Sequence, residues 1–411
     1  MKRLIAVMLA LALLLTACAQ GNADDLMQNV PAKAVDVLPD MDTGAAVAAD
    51  FGVRLFQASV EEGKNTLISP LSVLYALAMT ANGADGNTLA QMEQVLGMET
   101  EELNSFMRAY LDLLPESKVY KLSLANSIWF KDDPRFQVEQ SFLQTNADYY
   151  GADAYKAAFD EATRNDINNW VKEHTDGMIP EILDEIPEDA VMYLVNALAF
   201  DAEWQEIYEA HQVWEGEFCL EDGTPRTVDL MHSEENRYLE DELATGFIKY
   251  YKDKQYAFAA LLPNEGVTVQ EYVDSLTGEH LMKLLSNPEK VTVFATMPKF
   301  ETEYSVEMSE ALMEMGMTDA FDYRISDFSR LGTYDADGLN ICINRVLHKT
   351  FISVSEKGTR AGAATAVEMV AEGALLIEDY KTVTLDRPFV YMLIDCQTNL
   401  PFFIGTMMDV G

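Results

Sequence analysis

The groups in this chain that could do chemistry are few and scattered. Its five histidines are His174, His211, His232, His280 and His348, and none belongs to an HExxH pair or another metal-ligand spacing. No serine stands in a GxSxG elbow, and no GxxxxGK[ST] or GxGxxG run offers backbone N–H groups to phosphates. Cysteines at 18, 219, 342 and 396 are too widely spaced for a metal site or a disulfide framework. Acidic residues number 68 against 29 basic ones, so chance pairs of carboxylates are inevitable and mark no acid–base couple. The expectation is therefore no enzyme, no metal and no cofactor.

The stretch that stands out instead is Glu356 to Glu372, EKGTRAGAATAVEMVAE. Its first half is almost wholly Ala, Gly and Thr, which bury too little apolar area to build a core. Read with a period of two, Thr359, Ala361, Ala363, Thr365, Val367, Met369 and Ala371 form a small or apolar face. From Thr359 onward every charge, Arg360, Glu368 and Glu372, falls on the other face. That pattern suits a strand buried on one side and wet on the other, slim enough to slide between two strands already in place. On composition alone an Ala-rich helix or a linker fits as well. The flanks decide otherwise, because strand patterns lie on both sides, at 339–354 and at 381–394 with 401–405. The stretch reads as a pliable loop held out by a rigid sheet.

The hinge EKGT…GAATA, the preceding VLHK and the following DRPF and FFIGTM resemble the reactive-centre loop region of serpins. Further back, NTLISPLS at 65–72, the INxWVxxxTxGxI pattern within 164–179 and PKF at 298–300 match the same family. The resemblance spans residues 46–411. It implies a mixed α+β serpin fold with about nine helices, three β-sheets and an exposed loop at about 356–380. The function it implies is suicide inhibition: a serine protease cuts the loop, which inserts into the central sheet and drags the acylated protease along. The hinge would comprise Glu356, Gly358, Thr359, Ala361, Ala363, Ala364 and Thr365. The resemblance further implies a latch under the sheet from Ser69, Ser72, Asn196 and His348, with Trp204 where the loop first inserts. Read without the motif, Asn196 is a polar residue at a strand end and Trp204 a core anchor.

The elements that must position these residues can be traced along the chain. Met1-Lys-Arg, the apolar run Leu4 to Leu15 and a small-residue site make residues 1–17 a signal peptide. Cys18 after Leu-Thr-Ala resembles a bacterial lipobox cysteine, which places the protein outside the cell, lipid-anchored to the membrane or released. Residues 18–45 lack periodicity and read as a tether. Helical spacing follows at 50–59, 70–80 and 89–96, a strand at 120–130, helical spacing again at 136–158, and a buried strand at 191–200. Phe247–Tyr251 and Tyr256–Pro263 read as a strand pair, 291–300 as another strand and 306–321 as a helix. The formal charge of −39 argues against nucleic acid and anionic lipid surfaces and favours cationic partners. A monomer is expected.

Two points stay open. A serpin-fold protein that binds or is merely cut, without inhibiting, shares most of these motifs. The hinge separates the two readings, since one large or charged group on its buried face would obstruct insertion, and Thr359, Ala361, Ala363, Thr365 and Val367 all pass. Arg360 and Gly362 depart from the family's usual residues without touching the buried side. The attacked bond is the second point. Roughly seventeen residues from Glu356, at ~3.3 Å per strand residue, reach Glu372–Gly373, with Ala371–Glu372 one step earlier. Counting back from Arg387-Pro388 favours Leu375, Leu376 and Ile377 instead. These options suit glutamate-specific, elastase-like and subtilisin- or chymotrypsin-type proteases respectively.

Overall fold

The computed structural model describes residues 23–114, 119–187, 190–335, 338–359 and 379–411. Among them are nine α-helices and three main sheets of seven, six and four strands, with one small two-stranded pair. This is the α+β architecture the resemblance implied.

The seven-stranded central sheet runs in the order Asp24–Asp25, Asp153–Ala157, Tyr120–Lys131, Met192–Glu203, Gly358–Thr359, Arg345–Ser355, Phe300–Glu307. Its middle strand, Met192–Glu203, is buried along nearly its whole length, as strands covered on both faces are. Even-numbered residues from Met192 to Ala202 point into the main core. Tyr193, Val195 and Ala197 point the other way, against Ile167, Trp170 and Val171 of the helix Glu161–His174. That helix therefore lies over one half of the sheet. It starts at a reciprocal cap between Asp160 and Thr163.

Beneath the sheet runs the helix Pro70–Ala81, buried at every residue. Its sequence is apolar all round, as a helix enclosed on all sides must be. Pro70 takes the first turn, where no N–H is needed, and the Ser69 side chain caps the helix by accepting from Ser72 N. The six-stranded sheet closes the far side of the core. It carries the expected pair Ala244–Tyr250 and Tyr256–Pro263, and Phe389–Asp395 with Pro401–Met407. The four-stranded sheet pairs Tyr380–Thr384 with Thr292–Pro298, then Pro225–Glu235 and Val213–Cys219.

Several expected elements differ. The stretch 136–158 is a strand, a helix and a strand: Phe136–Val138, Gln140–Tyr150 and Asp153–Ala157. Gly151, left-handed at φ 54°, ends the helix, and the chain then pairs in parallel with Ser127–Lys131. The expected helix over 306–321 shrinks to Ser309–Glu314, because Val306 and Glu307 belong to the strand Phe300–Glu307. The strand pattern at 339–354 is ordered as a strand only from Arg345. Part of the expected tether is laid on the body as well. Asp24–Asp25 pairs with Tyr155 and Lys156, Val30 is buried, and a helix begins at Met41 behind an Asp40 cap. The physical reason is that Asp153–Ala157 would otherwise be an uncovered sheet edge. Cys18 lies outside the described residues.

Candidate functional site

The two strands that matter, Met192–Glu203 and Arg345–Ser355, meet in different ways along their length. In the half under the helix Glu161–His174 they pair directly and in parallel, from Arg345 opposite Tyr193 to Lys349 opposite Ala197. Beyond that, Leu198–Asp201 and Thr350–Ser353 share no ladder. At the far end Gly358–Thr359 sits between them, antiparallel to both, with Thr359 opposite Ala202 and Val354 and Gly358 opposite Glu203 and Ser355. The sheet is shut in one half and begun, by two residues, in the other.

The shut half is tied by polar groups in the core. Asn126, Asn196 and His348 stand side by side on three neighbouring strands. Ser72 Oγ donates to Asn196 Oδ1, and the Asn196 amide donates to Ser72 O and to Asn126 Oδ1. His348 bridges the two walls. Its Nε2 accepts from Ser69 N at 3.0 Å, so the proton sits on Nδ1, which reaches Asn196 Oδ1 at 3.1 Å. All five residues are buried. Burial pushes the His348 imidazole down to about 3, because a cation there would face a backbone N–H rather than an acceptor.

At the open end the residues leading into the hinge are held by their carbonyls. Trp204 Nε1 donates to Ser355 O at 2.8 Å, Tyr208 N to Glu356 O at 2.8 Å, and Trp204 N to Lys357 O at 2.9 Å. Trp204 stacks on Tyr251 with ring centroids 4.4 Å apart, and the Tyr251 hydroxyl meets Thr359 Oγ1. Thr359 is consequently buried. Gly358 has φ +152°, and a Cβ there would lie 2.0 Å from Ala202 O, so only glycine fits. Glu356 accepts from Lys299 Nζ at 2.8 Å, with Asp229 3.6 Å from the same ammonium. Burial raises the Glu356 carboxyl, but Lys299 and backbone hydrogen bonds outweigh it and leave the group below its usual range. Lys299 is raised in turn, chiefly by that hydrogen bond.

Of the residues expected from the sequence, Ser69, Ser72, Asn196 and His348 come together as one latch. Trp204, Glu356, Gly358 and Thr359 come together at the open end. Ala361, Ala363, Ala364, Thr365, Ala371, Glu372, Gly373, Leu375, Leu376 and Ile377 lie outside the described residues. Sequence reasoning missed Asn126, Tyr208, Tyr251 and the part played by Lys299. Asn126 carries one signal, as an amide in an otherwise apolar alternating strand. No described group of three or more His, Cys, Asp or Glu could hold a metal ion.

The serpin family profile, described as a serine protease inhibitor, matches residues 46–410. An uncharacterized serpin-like protein of Thermococcus kodakarensis is 29% identical over 400 residues, covering 95% of this chain and 91% of its own. Serpin B6 of Macaca fascicularis is 30% identical over 383 residues, covering 89% and 99% respectively. Tengpin, a thermophilic serpin, is 48% identical. Its native state covers 94% of this chain and 100% of its own at a TM-score of 0.90, and its latent state gives 0.79. With its sheet shut over the latch and opened by two residues at the hinge, this chain belongs to the serpin family of serine protease inhibitors.

Proposed function

We propose that the chain inhibits serine proteases by trapping them on its own inserted loop. The observation that carries this reading is the strand Gly358–Thr359, already paired on both sides and aimed at the shut half. Continued in the same register, the buried face of the hinge falls on apolar or small positions. Ala361 comes level with Phe200 and Ile352, Ala363 with Leu198 and Thr350, and Val367 with Leu194 and Val346. Thr365 comes level with Asn196 and His348, where its hydroxyl can replace part of the latch. Insertion to that depth has to separate the direct pairing of Arg345–Lys349 from Tyr193–Ala197.

The same register bears on the attacked bond. The slot along Met192–Glu203 is 12 residues long, roughly 40 Å. In that register residue 369 would come level with Met192, leaving three residues to Glu372, against six to eight to Leu375–Ile377. A short overhang pulls a protease hard against the end of the sheet, which favours Glu372–Gly373. In that step the protease's nucleophile forms an ester with the Glu372 carbonyl, and the Gly373 amine leaves. Insertion then competes with hydrolysis of the ester by water. The target is a glutamate-, elastase- or subtilisin-type protease outside the cell, with the inhibitor anchored through a lipid on Cys18 or released.

The test is to mix the chain from Cys18 onward with a panel of serine proteases. The expected result is an SDS-resistant complex with at least one, and a released C-terminal peptide whose mass begins at Gly373. Clean cleavage by every protease, with no complex, would overturn the reading and leave a non-inhibitory serpin.

A further inference from the structure

A buried lysine that the latch and hinge do not account for lies behind the open end. Lys249, on the strand Ala244–Tyr250, has a side chain 3% exposed, and its ammonium lies 2.8 Å from Glu235 Oε1. Lysine is almost never this buried without a partner that fixes it. The same ammonium sits 4.4 Å from the Tyr208 ring centroid and 5.5 Å from that of Trp204, within cation–π range of both. Glu235 also accepts from Ser233 Oγ at 2.8 Å, and Ser233 Oγ lies 3.2 Å from the Tyr208 hydroxyl. The two aromatic residues gathered around this cation are the two that hold the carbonyls of Ser355, Glu356 and Lys357.

Those carbonyls belong to a hairpin. Ser355 pairs with Gly358 and Val354 with Thr359, so Glu356–Lys357 is its two-residue turn. Insertion lengthens this hairpin pair by pair. Starting a hairpin fixes several dihedrals for few hydrogen bonds, whereas each later pair adds bonds as it is fixed. A hairpin held closed at its first two pairs can therefore zip without a fresh nucleation step.

We infer that Lys249, with Glu235, is the positioning residue that keeps this nucleus formed: its ammonium, seated against the Trp204 and Tyr208 rings, holds these two residues in place, and they hold the turn through the Trp204 indole N–H and the backbone N–H groups of Trp204 and Tyr208. The inference rests on the inhibitory reading for its consequence and on the geometry alone for the clamp itself. The cation acts on the turn through Trp204 and Tyr208.

The experiment compares the wild type with Lys249→Met, which keeps the stem and removes the charge, and with Lys249→Arg, which keeps a cation. Hydrogen exchange of the folded proteins reads the clamp directly. In Lys249→Met the amides of Gly358 and Thr359 should exchange at least tenfold faster, those of Phe389–Asp395 should be unchanged, and Lys249→Arg should restore most of the protection. Against a protease that the wild type traps, Lys249→Met should raise the stoichiometry of inhibition at least threefold while the rate of loop cleavage stays the same. Glu235→Gln carries the same expectations and stands in if Lys249→Met fails to melt cooperatively. Wild-type protection at Gly358 and Thr359 in a folded charge-deleted variant would overturn the inference. If no protease is trapped at all, the inhibitory reading falls, and the exchange rates still decide the clamp.

Discussion

Thr359 is the position where one substitution separates insertion from everything else the fold does. It is 1% exposed, paired on both sides, and its hydroxyl meets Tyr251. Arginine there would have to leave water against Tyr251, at a cost of several kcal/mol. The docked strand is only two residues long and gains roughly 1 kcal/mol per hydrogen bond. The arginine therefore swings out and the hinge undocks. The body loses no more than that docking, about 2–3 kcal/mol, because the pairing of Arg345–Lys349 with Tyr193–Ala197 is untouched. After cleavage the loop must find its slot from the undocked state, so insertion slows by about 30- to 150-fold. Titration of a trapped protease with Thr359→Arg should yield cut inhibitor and free protease where the wild type yields complex. A stoichiometry equal to that of the wild type would refute the reasoning, since it would mean that the buried face of the hinge need not fit.

Cutting the loop between residues 369 and 377, beyond the stretch that fills the slot, should raise the melting temperature by on the order of 10–20 °C as a new central strand forms; calorimetry of cut and uncut protein checks this. His348 should give a pH signature with a definite sign. Its folded value of about 3 lies below the ordinary 6.5, so between these limits the unfolded chain takes a proton that the fold refuses. This contribution is whole above about pH 6.5 and is lost as pH falls toward 3, by up to ~1.4 kcal/mol per unit. Urea midpoints between pH 6.5 and 5 should fall more steeply for the wild type than for His348→Gln, and equal slopes would refute the assignment. The Lys299–Glu356 pair is about one-third exposed on each side, so Lys299→Met should cost no more than ~1 kcal/mol. The deficit should shrink in 1 M salt, measured as a difference in melting temperature.

The described end of the hinge was legible in a local mark: Thr359 opens the small face that a period of two picks out from 359 to 371, and it is buried between two strands. The latch was legible only through motifs: Ser69-Pro70 reads as a helix start by itself, and His348 as one polar residue in a strand. Lys249 was illegible for a different reason. A lysine in Phe247-Ile-Lys-Tyr-Tyr251 reads as the wet face of a strand, and only the arrival of Glu235, Trp204 and Tyr208 from distant parts of the chain makes it interior. The helical reading of 136–158 failed because Gly151 punctuates it, and a single glycine does not say whether the chain resumes as helix or strand. The tether was misjudged in part because an aperiodic segment can still be recruited to cover a sheet edge, and Asp153–Ala157 provides one.

The arrangement also says why the proposed device would wait to be cut. Direct pairing of the two middle strands is parallel and covers five residues of each. An inserted loop would replace it with antiparallel ladders on both sides of a new strand up to 12 residues long, and antiparallel pairing is the slightly stronger kind. The uncut chain cannot reach that state freely because both ends of its loop are fixed. Thr359 is docked in the central sheet, and Tyr380–Thr384 is paired with Thr292–Thr296 in another sheet. Drawing in the loop intact would require stripping that second strand from its neighbour, while cutting the loop releases one end at no structural cost. The barrier is therefore a matter of connectivity more than of bonding, and hydrolysis of one peptide bond is the change that removes it.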